Sequence, residues 1–170
     1  PQSKINWIVG GFYFYTRSGL QPLLVNVNNG ATRLRIDSSG RTESLTALGQ
    51  VTVPLGDATN VTGGLRYTHD DRTLGGVQTA NGVVVAQRND VKPFKKLTFR
   101  ASVDHRFSDQ VLAYASFNRG FKSGLLGRLD NITAPAVNPE VLDAYEAGLK
   151  TDLFDRRLRL NVSAFYYDYK

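Results

Sequence analysis

Apolar and polar residues alternate with a period of two along most of the chain, and this pattern marks out strands. Between Lys95 and Phe107, Leu97, Phe99, Ala101, Val103 and Phe107 share one face, while Thr98, Arg100, Ser102, Asp104 and Arg106 share the other. Asn60 to Asp70 repeats the arrangement, with Val61, Gly63, Leu65 and Tyr67 set against Asn60, Thr62, Gly64, Arg66 and Thr68. Leu158 to Ala164 sets Leu158, Leu160, Val162 and Ala164 against Arg159, Asn161 and Ser163, and Ser44 to Leu55 has the apolar row Leu45, Ala47, Gly49, Val51, Val53 and Leu55. Two segments are less regular. Ile5 to Tyr15 is apolar on both faces toward its end, and Val111 to Phe121 changes parity near Asn118 and Arg119, as a β-bulge would produce.

The connections alternate in length: long from Thr16 to Gly40, short from Gly56 to Thr59, long from Thr73 to Pro93, short from Ser108 to Gln110, long from Lys122 to Pro139, short from Phe154 to Arg157. In an up-and-down antiparallel sheet successive connections fall on opposite rims, so the short turns share one rim and the long loops the other. Transmembrane barrels of the bacterial outer membrane have this layout. Strand length agrees: segments of about 11 to 14 residues rise roughly 36 to 47 Å, enough to cross an apolar band of about 25 Å at a tilt near 40°. Strands of soluble proteins are nearer about 5 or 6 residues. No window sustains a 3.6-residue apolar period, and no apolar run approaches a membrane-spanning helix. The expected fold is all-β, an antiparallel up-and-down transmembrane β-barrel segment of about seven strands, forming a curved open sheet.

If the first strand rises toward the long-loop rim, strands three, five and seven rise as well, and an interfacial girdle puts aromatics near their ends. Phe12 to Tyr15, Tyr67, Phe117 with Phe121, and Phe165, Tyr166, Tyr167 with Tyr169 meet that expectation. Two of the long connections have turn signals inside them. Asn28-Asn29-Gly30 lies between apolar flanks in Leu23 to Asp37, and Asn81-Gly82 lies between Val77 and Val83 to Val85, so each predicts a small hairpin continuing above the membrane. The third, with Pro135 and Pro139, reads as irregular.

The length of 170 residues suits one domain, and 41% hydrophobic residues suit a folded chain. The formal net charge of +6 is scattered through every segment instead of forming a stripe, which argues against a nucleic-acid partner. Cysteine is absent, as suits an exported chain that needs no disulfide. Pro1 is followed by no charged and apolar leader, and Tyr166 to Lys170 stops within a strand pattern, so the chain reads as an internal piece of something longer. Catalysis and metal binding find no support: His69 and His105 lack the spacing of metal ligands, and Asp70-Asp71 stands outside any calcium-loop pattern. No cofactor motif is present, since Gly10-Gly11 and Gly63-Gly64 lack the helix a phosphate loop requires. The sequons at Asn60, Asn131 and Asn161 are short enough to arise by chance, and Asn60 and Asn161 fall inside strand patterns.

The run Tyr114-Ala115-Ser116-Phe117-Asn118-Arg119-Gly120-Phe121-Lys122-Ser123-Gly124 resembles the Y-A-S-x-x-R-G-F-K-S-G stretch of TonB-dependent outer-membrane receptors of the siderophore-receptor type. Asn138-Pro139-Glu140 through Tyr145-Glu146-Ala147-Gly148-Leu149-Lys150 is similar to that family's P-E-x-x-x-x-Y-E-x-G-x-K. Arg157-Leu158-Arg159-Leu160-Asn161 through Phe165-Tyr166-Tyr167-Asp168-Tyr169 resembles its R-L-x-L-N-x-x-x-F-Y-Y-D-Y, and Gly64-Leu65-Arg66-Tyr67-Thr68 its G-L-R-Y-T. The resemblance covers Thr42 to Lys170, with a looser match through Trp7 to Tyr15. It implies an outer membrane of a Gram-negative bacterium and active import of a scarce large nutrient, above all a ferric siderophore. It also implies a barrel plugged by a separate N-terminal domain, and a segment ahead of that plug which engages the TonB complex. Residues 1–170 then belong to the barrel domain, without plug or remaining strands, and the partners are membrane lipid, the plug, the TonB complex and the nutrient.

On this reading Arg66, Arg100, Asp104, Arg106, Glu146, Lys150 and Arg159 face the lumen. Glu146 and Lys150 lie on one face roughly 13 Å apart, so their partners are expected across a strand or on the plug. Ligand contact is expected from loops and the upper inward face, with Arg17, Arg33, Arg35, Arg72, Arg88, Arg119, Lys122 and Arg128 as candidates, because anionic ferric chelates favour arginine and aromatic ligands stack on Tyr and Phe. The competing class is a non-transporting β-protein, either a structural outer-membrane barrel or a soluble β-sandwich. The two differ in where Leu97, Phe99, Ala101, Val103, Leu158, Leu160 and Val162 point: outward as one belt on a single sheet, or inward against a second sheet.

Overall fold

The computed structural model describes residues 4–170. Seven strands form one antiparallel sheet in sequence order: β1 (Asn6–Val27), β2 (Thr32–Leu55), β3 (Thr59–Ala80), β4 (Val83–Ser108), β5 (Val111–Lys122), β6 (Glu140–Leu153) and β7 (Leu158–Tyr169). A single 3₁₀ turn, Asn28–Gly30, joins β1 to β2. Among the described residues no second sheet packs on this one, which removes the sandwich alternative. Leu65 is 58% exposed, Leu97 54%, Val162 57% and Trp7 71%, a degree of apolar exposure that requires lipid in place of water.

The register assigns every side chain to a face. Trp7, Val9, Val51, Gly49, Val61, Leu65, Phe99, Val103, Ala115, Ala147, Leu149 and Val162 follow one another across the paired rows and form the apolar belt. Aromatic rings close its upper border: Phe99 lies 5.4 Å from Phe117, Phe117 4.9 Å from Tyr145, and Tyr145 6.2 Å from Tyr166. Phe99 and Tyr145 come from the descending strands β4 and β6, which the strand-end reasoning had left out of the girdle. Conversely, Phe12, Phe14, Phe165, Tyr167 and Tyr169 pair into rows of the opposite parity and point to the inner face.

Two of the three long connections shrink to tight turns. β1 and β2 stay paired up to Val27 and Thr32, and β3 and β4 up to Ala80 and Val83, so the sequence between the membrane and each tip is strand, not loop. Asn81 (φ 49°) and Gly82 (φ 85°) make the β3–β4 tip, a left-handed pair that an Asn-Gly sequence adopts with little strain. The bulge expected near Asn118 and Arg119 is not there: β5 pairs with β6 without a break from Val111 to Lys122. The irregularity lies instead in β4, between Arg106 and Ser108, next to the short turn. Arg119 keeps its outward parity because it meets a carboxylate there.

Above Arg100, β4 has no ladder partner on the β5 side: its pairing with β5 stops at Arg100 and Asn118, although β5 runs on to Lys122 beside β6. The exposed length carries Pro93, Lys92, Lys95 and Lys96, residue types that keep an open edge from recruiting another strand. The third long connection, Ser123 to Pro139, leaves the wall and folds across the inner face of the extended β2–β4 region. Ile36, Leu74, Phe94, Leu126 and Ile132 are the buried apolar side chains of the described residues, and they form a small core there. Gly76 permits this contact: a β-carbon on it would stand 2.9 Å from Ile132 Cγ2 and 2.9 Å from Asp37 O. Burial of each such side chain contributes about 1.5–3 kcal/mol. Arg88 fastens the loop, donating from Nη1 to the carbonyls of Ile132 (2.9 Å) and Ala134 (2.7 Å) while its Nε holds Asp90 (2.6 Å). Ser38 Oγ donates to Leu129 O at 2.6 Å.

Two outcomes test this architecture. In the whole protein refolded into vesicles, Leu65→Arg places a cation in the belt and lowers folding stability by about 2–4 kcal/mol, read from urea titration; an unchanged midpoint would contradict a lipid-facing row. Arg88→Ala leaves two loop carbonyls without their donor, a loss of about 1–3 kcal/mol each. Trypsin then cleaves after Arg128 several-fold faster on intact cells, whereas an unaltered cleavage rate would show that the loop does not depend on Arg88.

Candidate functional site

The inner face is set by the same register that builds the belt. Arg66, Arg100, Asp104, Arg106, Glu146, Lys150 and Arg159 all occupy rows opposite to it. Several meet across strands. Asn60 Nδ2 donates to Asp104 at 2.9 Å, and Arg159 Nε donates to Asp152 at 2.7 Å. Glu146 and Lys150 share one partner on β5, for Tyr114 Oη donates to Glu146 Oε1 at 2.5 Å and Lys150 Nζ lies 5.6 Å from the centre of the Tyr114 ring. The strand spacing that separates the two charges is bridged by one side chain long enough to reach both.

The seven arginines and one lysine singled out as ligand contacts divide between the faces. Arg72, Arg88 and Lys122 occupy inner rows. Arg72 donates through Nε and Nη2 to Ser123 Oγ (3.1 and 2.8 Å), Arg88 is taken up by the loop carbonyls, and Lys122 pairs with Glu140 at 3.2 Å. Arg128 sits in the inward loop, paired with Asp130; this arginine holds the Asp130 carboxyl below its usual range. Arg17, Arg33, Arg35 and Arg119 occupy rows of outward parity. Arg35 pairs with Asp37 two residues on. Arg119 makes a two-pronged pair with Asp143 (2.6 and 2.6 Å) over the Phe99 ring, and Lys170 reaches the same carboxylate at 3.1 Å. These four stand where the wall meets the membrane border or the outside, not the lumen.

Sequence reasoning missed two cations that the structure places with Arg66, Arg72 and Arg100. Lys92 lies directly opposite Arg72, and Lys96 opposite Thr68, so Lys92, Arg72, Lys96, Arg66 and Arg100 form one strip down the inner faces of β3 and β4. Between the Arg72 and Arg100 rows it runs roughly 27 Å along the strands. Among the described residues no carboxylate oxygen comes within 4.0 Å of any of the five. The signal available in the sequence was the even-numbered spacing of Lys92, Lys96 and Arg100, which is hidden at Lys92 because Thr73 to Pro93 reads as a connection. Asp70, the one acid on this stretch, is buried, and its Oδ1 finds no donor among the described residues.

The doublet Asp70-Asp71 cannot share an ion. Its members point to opposite faces, Asp71 toward His69 Nε2 at 3.3 Å. His105 Nδ1 is held by Thr59 Oγ1 at 2.8 Å and its ring packs on Phe107. Both histidines thus serve local packing.

The family model described as TonB dependent receptor-like, beta-barrel, matches residues 2–170. Among solved structures, the chain is similar to the ferric yersiniabactin uptake receptor FyuA from Yersinia pestis, with a TM-score of 0.83 at 19% identity over 98% of this chain and 26% of that one. It is also similar to the ferric-catecholate import receptor Fiu from Escherichia coli K12, with a TM-score of 0.63 at 13% identity over 97% of this chain and 29% of that one. The alcaligin outer-membrane receptor FauA from Bordetella pertussis follows the same wall, with a TM-score of 0.57 at 16% identity over 97% of this chain and 30% of that one. The chain therefore spans about a quarter to a third of the length of these receptors. The exposed apolar belt, the aromatic border, the unbroken meander and the match over nearly every residue agree: the chain belongs to the TonB-dependent receptors, and its seven strands are wall of their outer-membrane β-barrel.

Proposed function

We propose that this wall serves the import of an anionic ferric siderophore across the outer membrane, by a receptor whose plug domain fills the lumen and whose TonB partner supplies the energy. The work of the protein is transport and not catalysis. The strip of Lys92, Arg72, Lys96, Arg66 and Arg100 carries the reading. A stack of five cations, none of them in a salt bridge among the described residues, with Asp70 the one buried acid beside them, raises the local concentration of an anion and favours its movement along the wall, all the more beside a low-dielectric sheet where field lines concentrate. Ordinary wall charges, such as Asp104 with Asn60 or Arg159 with Asp152, are met by neighbours on the wall itself. The similar receptors point the same way, since two of them take up ferric complexes.

Arg66→Glu combined with Lys96→Glu reverses the charge at the middle of the strip. In iron-starved cells expressing the full-length receptor, uptake of its radioactive ferric chelate falls at least about tenfold at equal surface abundance, equivalent to roughly 1.4 kcal/mol of lost stabilisation. Arg33→Gln, on the other face, leaves uptake at the parent level. Undiminished uptake by the charge-reversed receptor would remove the basis for this function.

A further inference from the structure

On β1 and β2 the outward row above the last tyrosine carries two like charges. Arg17 and Arg41 are directly paired across the two strands, share the face that points away from the lumen, and are both exposed. The Arg41 charge is felt at the Tyr13 hydroxyl on that same face. Like charges directly opposite on neighbouring strands destabilise a sheet. Among the described residues no carboxylate oxygen comes within 4.0 Å of either guanidinium. The acids of the next outward row, Glu43 and Asp71, are engaged elsewhere: Glu43 accepts from Tyr13 Oη at 3.2 Å, and Asp71 meets His69 Nε2 at 3.3 Å.

Position along a strand does not by itself give height in the membrane, because the strands of a barrel are tilted. At a tilt near 40° a level line shifts by about 4 Å along the strands for each step of about 4.8 Å across the sheet. The aromatic border steps down in this way, from Tyr15 on β1 to Tyr67 on β3 and Phe99 on β4. Lys95 on β4 keeps pace with it. Through His69 and Leu45 it is aligned with Tyr13, four residues before Arg17, an offset of roughly 13 Å over the three steps from β1 to β4. Arg17, Arg41 and Lys95 therefore form an outward basic line that runs with the border and lies just outside it. On β5 the line continues at Arg119, whose charge is met by Asp143. The layer at and just beyond an aromatic border is that of the lipid headgroups.

We propose that Arg17 and Arg41 form a site on the outer wall for the phosphate of an outer-leaflet lipid headgroup, with Lys95 meeting a phosphate of the same layer. The guanidinium forks match phosphate oxygens in geometry, and an anion held between them turns a repulsion into two ion pairs. A zwitterionic headgroup brings a cation along with its phosphate, so the pair selects headgroups of net negative charge. The site faces away from the lumen and does not depend on the cargo: it ties the wall to its lipid, whatever the receptor imports.

The test uses the whole protein in an otherwise cysteine-free form, refolded into phosphatidylcholine vesicles, with a fluorophore on Thr73→Cys, the outward position opposite Arg41. The probes are phosphatidate, phosphatidylcholine and a fatty acid, each with a nitroxide near the top of an acyl chain. Labelled phosphatidate quenches the fluorophore at a mole fraction at least about tenfold lower than labelled phosphatidylcholine. Arg17→Gln combined with Arg41→Gln removes that preference, Arg17→Lys combined with Arg41→Lys keeps part of it, and Arg33→Gln, farther out on β2, leaves it unaltered. In pure phosphatidylcholine the double glutamine variant resists urea at least as well as the parent, because the like-charge repulsion is gone; added phosphatidate raises the parent's midpoint and not the variant's. Equal quenching by phosphatidate and phosphatidylcholine in the parent, or a preference that survives loss of both arginines, overturns the site. Quenching by the labelled fatty acid as strong as by phosphatidate overturns phosphate recognition in favour of a general attraction of charge.

Discussion

Backbone hydrogen bonding in a solvent that offers none is the constraint on which the rest of this structure depends. In hydrocarbon an unpaired N–H or C=O costs several kcal/mol, so a strand crossing it must be paired along its whole membrane length. The ladders of β1 with β2, β2 with β3 and β3 with β4 meet that demand and carry it further than the bilayer requires, with register shifts only toward the tips, at Leu20/Leu23 and Gln78/Thr79. Once pairing is fixed, so is the face of each residue, because a slip of one position would exchange the entire apolar belt for the charged lining. The belt from Trp7 to Val162 and the cation strip from Lys92 to Arg100 are therefore two consequences of one register.

Apolar residues on this wall serve two solvents. Those on the outer rows are left exposed for lipid, while Ile36, Leu74 and Phe94 lie on inner rows where lipid never reaches. Their burial falls to Leu126 and Ile132 of the long connection, which folds inward because a matching apolar surface awaits it and because Arg88 satisfies two of its carbonyls. The same inward fold brings Ser123 to Arg72 and encloses a cavity over Thr16, Thr42 and Arg72. A loop recruited by packing thus shapes the part of the lumen nearest the outside, and the arrangement of charge around it follows from that packing.

Much of the fold was legible because period-two alternation is a local property. The faces of β3, β4 and β7 follow directly from Asn60 to Asp70, Lys95 to Phe107 and Leu158 to Ala164. The hairpin tips were legible too, since Asn81-Gly82 has turn chemistry independent of its surroundings. The parity change at Arg119 misled, because an outward arginine looks like a slip of register unless its partner is known. That partner, Asp143, lies a strand away, and its pair with Arg119 over Phe99 makes a charge tolerable at the membrane border. The aromatic girdle was likewise half hidden: strand ends were visible, but which of Phe12 to Tyr15 or Phe165 to Tyr169 faces outward depends on pairing.

By itself the sequence determined the strand class, the number of strands, the alternation of rims and the family, since each is written in short-range spacing and in motifs such as Tyr114 to Gly124. The tertiary structure decided which cations stand together. Lys92 and Arg72 are twenty residues apart along the chain yet directly opposite across β3 and β4, and Arg17, close to the first aromatic cluster, turns away from the lumen altogether. Only the tertiary structure could also show that Ser123 to Pro139 folds inward and roofs the row of Thr16, Thr42 and Arg72. The physical reason is common to both: a strand's alternation is local, whereas register and loop docking are settled by energies summed between segments far apart in the chain.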